Sequence, residues 1–179
     1  MRGRALVVLL TLASMLAVIS PSLEPVPSPY PLPGGERGEL GGTVGRIVDG
    51  DTIYVRLTTG MEKVRYIGID TPELHHPTRG EEPGGREATE VNRRLLGDHP
   101  VRLETDVQLR DRYGRLLAYV WTRRPEGEVM VNAELVRLGY AAVMTVPPNV
   151  RHIELFRRLA AEARQHHRGL WAQPVAPAR

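Results

Sequence analysis

Residues 43–70 read TVGRIVDGDTIYVRLTTGMEKVRYIGID, and the fold is decided in this stretch. Val, Ile, Thr and Tyr recur in short alternating runs at 43–48, 52–57 and 61–69, which is the pattern of half-buried β-strands. Asp49-Gly50 separates the first two runs, and both residue types tolerate the positive φ that a tight turn demands. Residues 58–60 turn the chain again, so three antiparallel strands are predicted.

Outward from there, a polar loop rich in Gly and Pro at 72–85 leads into residues 86–96, where Ala88, Val91, Leu95 and Leu96 fall at helical spacing. Residues 101–104 and 116–121 read as two further strands, with Tyr113-Gly114 in their connection. A second helix is expected at 131–138. A third is expected at 153–166, with Leu155, Leu159 and Ala163 on one stripe. Five strands with a helix between the third and fourth is the element order of an OB-fold. The expected class is α+β, mainly β: a five-stranded OB-fold barrel with three helices.

Composition sets the frame. The 179 residues, 41% hydrophobic and 25% charged, suffice for one domain with a real core but hardly for two. Aromatic residues are only 5%, so the core is expected to be built mainly from Val, Leu, Ile and Ala. The formal net charge of +3 is compatible with a polyanionic partner without requiring one. Lys63 is the only lysine; the remaining basic residues are arginines, whose planar fork of donors suits phosphate oxygens. The absence of cysteine excludes disulfides, thiolate metal sites and a lipid-modified cysteine anchor.

The N-terminus reads as an address. Arg2 and Arg4 precede an apolar run at 5–19, the layout of a secretory signal. As a helix the run would span about 22 Å, less than a hydrocarbon core of about 30 Å. Residues 1–20 are therefore expected to be a signal peptide, with an uncleaved membrane anchor as the alternative. Six prolines between 21 and 33, followed by Gly34-Gly35, mark 21–40 as a linker. The domain is expected at 41–173 and a flexible tail at 174–179. The protein is expected to be secreted or held at the outer face of the cytoplasmic membrane.

Three segments concentrate chemistry-bearing residues: Asp49-Gly50-Asp51-Thr52, then Arg65 through Asp70-Thr71-Pro72-Glu73, then Arg112-Tyr113-Gly114-Arg115. Each alone reads as turn punctuation or the end of a strand. In this order, on this strand pattern, they resemble the staphylococcal nuclease family. The resemblance runs through VDGDT at 48–52, VRYIGIDTPE at 64–73, DRYGRLLAYVW at 111–121 and VNAELVRLG at 131–139, and covers residues 43–171. It implies that Asp51, Asp70 and the main-chain carbonyl of Thr71 hold one calcium ion. It also implies that Arg65, Glu73 and Arg115 are catalytic.

Those residue types suit the chemistry in their own right. A phosphodiester repels hydroxide, so its hydrolysis requires neutralisation and stabilisation of a more highly charged transition state. Two arginines and a hard cation with oxygen ligands supply both. Glu73, three residues after Asp70, is placed to orient or deprotonate an attacking water. Arg112 is expected at a terminal phosphate, and Tyr113 either stacks on substrate or packs on the barrel. Strict strand alternation sends Arg65 and Asp70 to opposite faces, a conflict that barrel coiling or a bulge near Gly68 would resolve. Where the family pattern places two tyrosines beside the nucleotide, an ungapped alignment puts Thr145 and Pro147, with Tyr140 a substitute candidate. His75-His76 and His166-His167 read as solvated residues, since no carboxylate or thiolate spacing completes a zinc site.

The expected activity is calcium-dependent hydrolysis of DNA and RNA by a monomer with no protein partner, single strands or frayed duplex being preferred. The alternative is a catalytically silent OB-fold module that binds single-stranded nucleic acid at the cell surface.

Overall fold

The alternating run that opens the domain forms three strands paired in chain order, β1 (Glu39–Ile47), β2 (Thr52–Leu57) and β3 (Gly60–Tyr66). In β2, Ile53, Val55 and Leu57 are buried while Tyr54 and Arg56 keep contact with solvent, as a period of two dictates. The computed structural model describes residues 39–172 apart from 75–77, 79 and 126. The expected signal or anchor, the expected linker up to residue 38, His75-His76 and the tail lie outside the described residues.

Two boundaries differ from the pattern in the sequence. β1 begins at Glu39, because Glu39 through Thr43 pair with the fourth barrel strand, β5 (Pro100–Glu104). The Gly41-Gly42 pair has no side chains to reveal that pairing. The strand expected at 61–69 instead stops at Tyr66. Ile67 and Gly68 turn, Gly68 with φ +80, and a separate short strand β4 (Ile69–Asp70) follows. After β6 (Leu116–Arg124), the edge strand β7 (Gly127–Met130) forms a hairpin with it, and β8 (Ala142–Val143) pairs with β4.

The barrel closes through one parallel seam. Strands run β3-β2-β1-β5-β6, and β6 returns to β3 with Val64 opposite Leu116, Arg65 opposite Leu117 and Tyr66 opposite Ala118. This is the closed five-stranded OB-fold barrel, with helices α1 (Gly85–Leu96), α2 (Val131–Arg137) and α3 (Ile153–Gln165). Val64, Leu103, Ala118 and Val120 fill the interior with aliphatic side chains. Four aromatic residues nonetheless join them: Trp121, Tyr66, Tyr119 and Phe156 are the largest fully buried side chains among the described residues.

Two buried asparagines pin the loops to the helices. Asn132 of α2 accepts the Val120 amide (2.8 Å) and donates to the Ile67 carbonyl (2.9 Å). Asn92 of α1 accepts from the Tyr66 hydroxyl (3.0 Å) and donates to the Asp49 carbonyl (3.2 Å). Neither side chain has water to fall back on, so both polar pairings fix loop position.

A carboxylate at the end of β5 ties the barrel to α3. Glu104 is buried and accepts hydrogen bonds from Trp121 Nε1 (2.9 Å) and Arg151 Nη1 (2.5 Å), with His152 Nε2 at 3.2 Å. Burial pushes its carboxyl upward, but the hydrogen bonds from His152 and Arg151 outweigh this and hold it below its ordinary value of 4.5. A carboxyl depressed by folding contributes stability that is complete above its unfolded pKa and is lost as pH falls through its folded one. In urea denaturation at a series of pH values, Glu104→Gln is expected to cost about 1–3 kcal/mol at neutral pH. It should also lose less than the parent between about pH 5 and about pH 3; parallel pH profiles would contradict the assignment.

Candidate active site

The seam that closes the barrel also assembles the site. Arg65 of β3 stands opposite Leu117 of β6, and Arg115 lies in the turn just before β6, two residues ahead of Leu117. Both arginines face a cleft of about 420 Å³, which Arg112, Tyr113, Leu117, Met144 and Val146 also line. Segments that are 50 residues apart in the chain thus present their guanidinium groups to one space.

Behind Arg65 lie the two acidic segments. Its Nη1 pairs with Asp51 Oδ1 and its Nη2 with Asp70 Oδ1 at 2.7 Å. The alternation conflict is resolved at the Ile67-Gly68 turn, which breaks the strand between Arg65 and Asp70 and lets both side chains meet. A Cβ on Gly68 would approach the Phe156 ring to 2.6 Å, and φ +80 favours glycine in any case. The β4–β8 ladder then fixes Asp70 opposite Ala142, and the Met144 amide donates to the Gly68 carbonyl at 3.0 Å.

Asp51 is held on every side. It is 3% exposed, and its Oδ2 accepts the Thr71 amide at 2.8 Å while its Oδ1 accepts the Thr52 hydroxyl at 3.2 Å. The Asp49-Gly50 turn packs so closely on Thr71 that a Cβ on Gly50 would lie 2.6 Å from Thr71 Oγ1. Thr71 Oγ1 is itself buried without a hydrogen-bond partner among the described residues. Burial pushes the neighbouring Asp49 carboxyl above its ordinary range, against the lowering pull of Arg65.

Arg115 is oriented by Asp111. Its Nε donates to Asp111 Oδ2 at 2.6 Å, and Asp111 Oδ1 accepts the amides of Tyr113 (2.9 Å) and Arg115 (3.0 Å). Burial pushes the Asp111 carboxyl up, yet these bonds to Arg115 and Tyr113 prevail and hold it below the ordinary range. Tyr113 stands at the cleft mouth, 67% exposed, so it does not pack into the barrel. Arg112 Nη2 donates to its hydroxyl at 2.6 Å, and the Arg112 and Arg115 guanidinium carbons lie 4.8 and 5.4 Å from its ring centroid.

Glu73 stands apart from the cleft lining. It is exposed on the loop after β4, with its amide donating to Glu82 Oε2 (3.0 Å) and its carbonyl accepting the Glu82 amide (2.9 Å). The cleft wall near the expected tyrosines is formed by Met144 and Val146, with Thr145 and Pro147 not among its lining residues. Tyr140 is half-buried against the core and does not line the cleft either. Gln108 and Asn149, which sequence reading missed, complete the wall; the Asn149 side chain accepts the Gln108 amide at 2.7 Å and donates to the Gln108 carbonyl at 2.8 Å. The only sequence signal for these wall residues is their place in two loops that flank the barrel.

Among the described residues, no group of three or more His, Cys, Asp and Glu side chains is disposed to hold a metal. Two carboxylates nevertheless converge on one cationic partner, Arg65, and the buried Thr71 Oγ1 beside them has no partner among the described residues. An all-oxygen set of two carboxylates and a carbonyl fits a hard divalent ion better than a soft one.

A family profile described as staphylococcal nuclease homologue matches residues 63–173. The chain is 38% identical over 127 residues to the thermonuclease of Staphylococcus hyicus, covering 71% of this chain and 73% of that protein. It is likewise 38% identical over 128 residues to the thermonuclease of Staphylococcus intermedius, covering 72% and 74%. Endonuclease YncB of Bacillus subtilis is 37% identical over 133 residues, covering 73% of this chain and 61% of that protein. The chain belongs to the staphylococcal nuclease family. Asp51 precedes the segment matched by the profile and joins the site through Arg65 and Thr71.

Because the Gly68 turn unites Arg65 with Asp70, Gly68→Ala is expected to lower the unfolding free energy by about 1–3 kcal/mol through overpacking and backbone strain. Chemical denaturation measures this; an unchanged midpoint would show that the turn tolerates a side chain.

Proposed function

We propose that this cleft is the active centre of a calcium-dependent nuclease that hydrolyses phosphodiester bonds in DNA and RNA without regard to the sugar. The observation that carries the reading is the convergence of Arg65 and Arg115 on one cleft, with the Asp51–Asp70 pair directly behind Arg65. The family membership and its relatives named thermonuclease and endonuclease make the chain a nuclease. Metal identity, residue roles and strand preference are our own reading of the site.

A substrate phosphate entering the cleft meets guanidinium groups from two sides. Arg115 can donate two parallel hydrogen bonds to phosphate oxygens and Arg65 donates through the N–H groups that Asp51 and Asp70 leave over; such charge-assisted bonds strengthen as the phosphorus gains negative charge. Arg115 is pre-oriented because Asp111 engages its Nε and leaves the terminal nitrogens to face substrate. Asp51, Asp70 and the Thr71 carbonyl would hold the calcium ion, which when bound supplies positive charge against the anionic substrate. Glu73, three residues beyond Asp70, would take the proton from the attacking water. Arg112 and Tyr113 at the mouth would steady a neighbouring phosphate and a base. A cleft of this size admits a single flexible strand more readily than an intact duplex, which supports preference for single strands and frayed ends.

The Arg2/Arg4 and 5–19 pattern supports action outside the cell or at the outer face of the cytoplasmic membrane. Purified protein should cleave single-stranded DNA and RNA with calcium present and lose that cleavage with chelator. Glu73→Gln is expected to lose cleavage by on the order of 10²–10⁴-fold while calcium-dependent nucleotide binding persists. Full turnover in chelator would overturn the metal role. Binding without cleavage by the parent would favour a silent binding module.

A further inference from the structure

We propose that the outer face of β1, β2 and β3 carries an accessory track for single-stranded polynucleotide, leading out of the cleft along Lys63, Tyr54 and Arg46. The inference rests on the nuclease reading and extends it to how a longer substrate is held. Lys63 and Arg65 lie two residues apart on β3, hence on the same face and about 6.8 Å apart along the strand. The track therefore starts beside a residue that already lines the cleft.

From Lys63 the row crosses the sheet. Strand register places Lys63 opposite Tyr54 and Tyr54 opposite Arg46, so three side chains stand side by side on adjacent strands. The Arg46 guanidinium carbon lies 4.7 Å from the Tyr54 ring centroid and Lys63 Nζ lies 5.9 Å from it. Held over the half-exposed Tyr54 ring, the Arg46 guanidinium offers its own outer plane to a base, and the two cations supply charge for the phosphates on either side of it. The sole lysine of the chain stands in this row.

Several of the barrel's other cations are neutralised by carboxylates. Arg65, Arg102, Arg110, Arg115 and Arg151 all pair with carboxylates. Among the described residues, Arg46, Lys63 and the neighbouring exposed Arg56 make no ion pair with a carboxylate. Glu62, between Met61 and Lys63, is turned to the other side of β3, where it binds Arg110 through two hydrogen bonds of 2.9 and 2.8 Å. The face is thus positive and open, continuous with the cleft, and matched to a flexible polyanion with exposed bases.

The experiment compares the full-length parent with the double variant R46Q/K63Q on two probes, a 5′-phosphorylated thymidine dinucleotide and a single-stranded oligonucleotide of about twelve nucleotides. The dinucleotide reaches only the cleft, so its kcat/KM should stay within about twofold of the parent's. For the longer strand kcat/KM should fall roughly tenfold, and the slope of its logarithm against log salt should become shallower by about 1.4, two contacts at about 0.7 each. The charge-preserving R46K/K63R should retain the parent's discrimination, and Tyr54→Leu should weaken the longer strand about fivefold with little change of slope. An equal loss on both probes, or no loss on either, would overturn the track while leaving the nuclease reading intact. A duplex of the same length losing as much would overturn the single-stranded occupant. A parent that cleaves neither probe would overturn the nuclease reading, and the track with it.

Discussion

Arg65 sits between two carboxylates that reach it from different loops, Asp51 from the first turn of the barrel and Asp70 from the strand after the Gly68 turn. Two anions brought together in a half-buried place repel one another unless a cation stands between them. The guanidinium meets that need, and the surrounding structure holds its partners in reach. The Thr71 amide and Thr52 hydroxyl fix Asp51, the ladder between β4 and β8 fixes Asp70, and the parallel seam with β6 fixes Arg65 itself.

The same contact couples fold to chemistry. The seam that closes the barrel is the one that sets Arg65 beside Arg115, so a barrel left open would have no bipartite phosphate site. Asn132 and Asn92 extend the coupling to the helices, since each uses its amide to hold a loop that bears a site residue. Both arginines are already engaged by carboxylates, Arg65 by Asp51 and Asp70 and Arg115 by Asp111. Their conformations are therefore selected before substrate arrives, which reduces the ordering cost at the moment of reaction.

Much of this was legible in residues 43–70 alone, because alternation of Val, Ile and Tyr, interrupted by Asp-Gly, leaves few options besides a meander. The three helices followed from apolar spacing, and their ends were within a residue or two. What was not legible depends on contacts distant in the chain. The pairing of Glu39 through Gly42 with β5 involves glycines that carry no pattern. The break at Ile67-Gly68 is hidden because a turn between two apolar residues reads as strand continuity. Arg65, Arg112, Tyr113 and Arg115 meet in the cleft as their motifs suggested. Met144 and Val146, by contrast, line it from a loop with no recognisable chemistry, and the orienting role of Asp111 depends on a turn whose geometry the letters do not express.

The central claim is that Asp51 and Asp70 serve one cation position rather than two separate ones. Calorimetric titration of calcium into the parent, Asp51→Asn, Asp70→Asn and the double variant tests it most directly. One shared position predicts a single ion bound by the parent, and a loss of binding in each single variant nearly as complete as in the double. Independent, additive losses, or a single variant that binds calcium as the parent does, would contradict it.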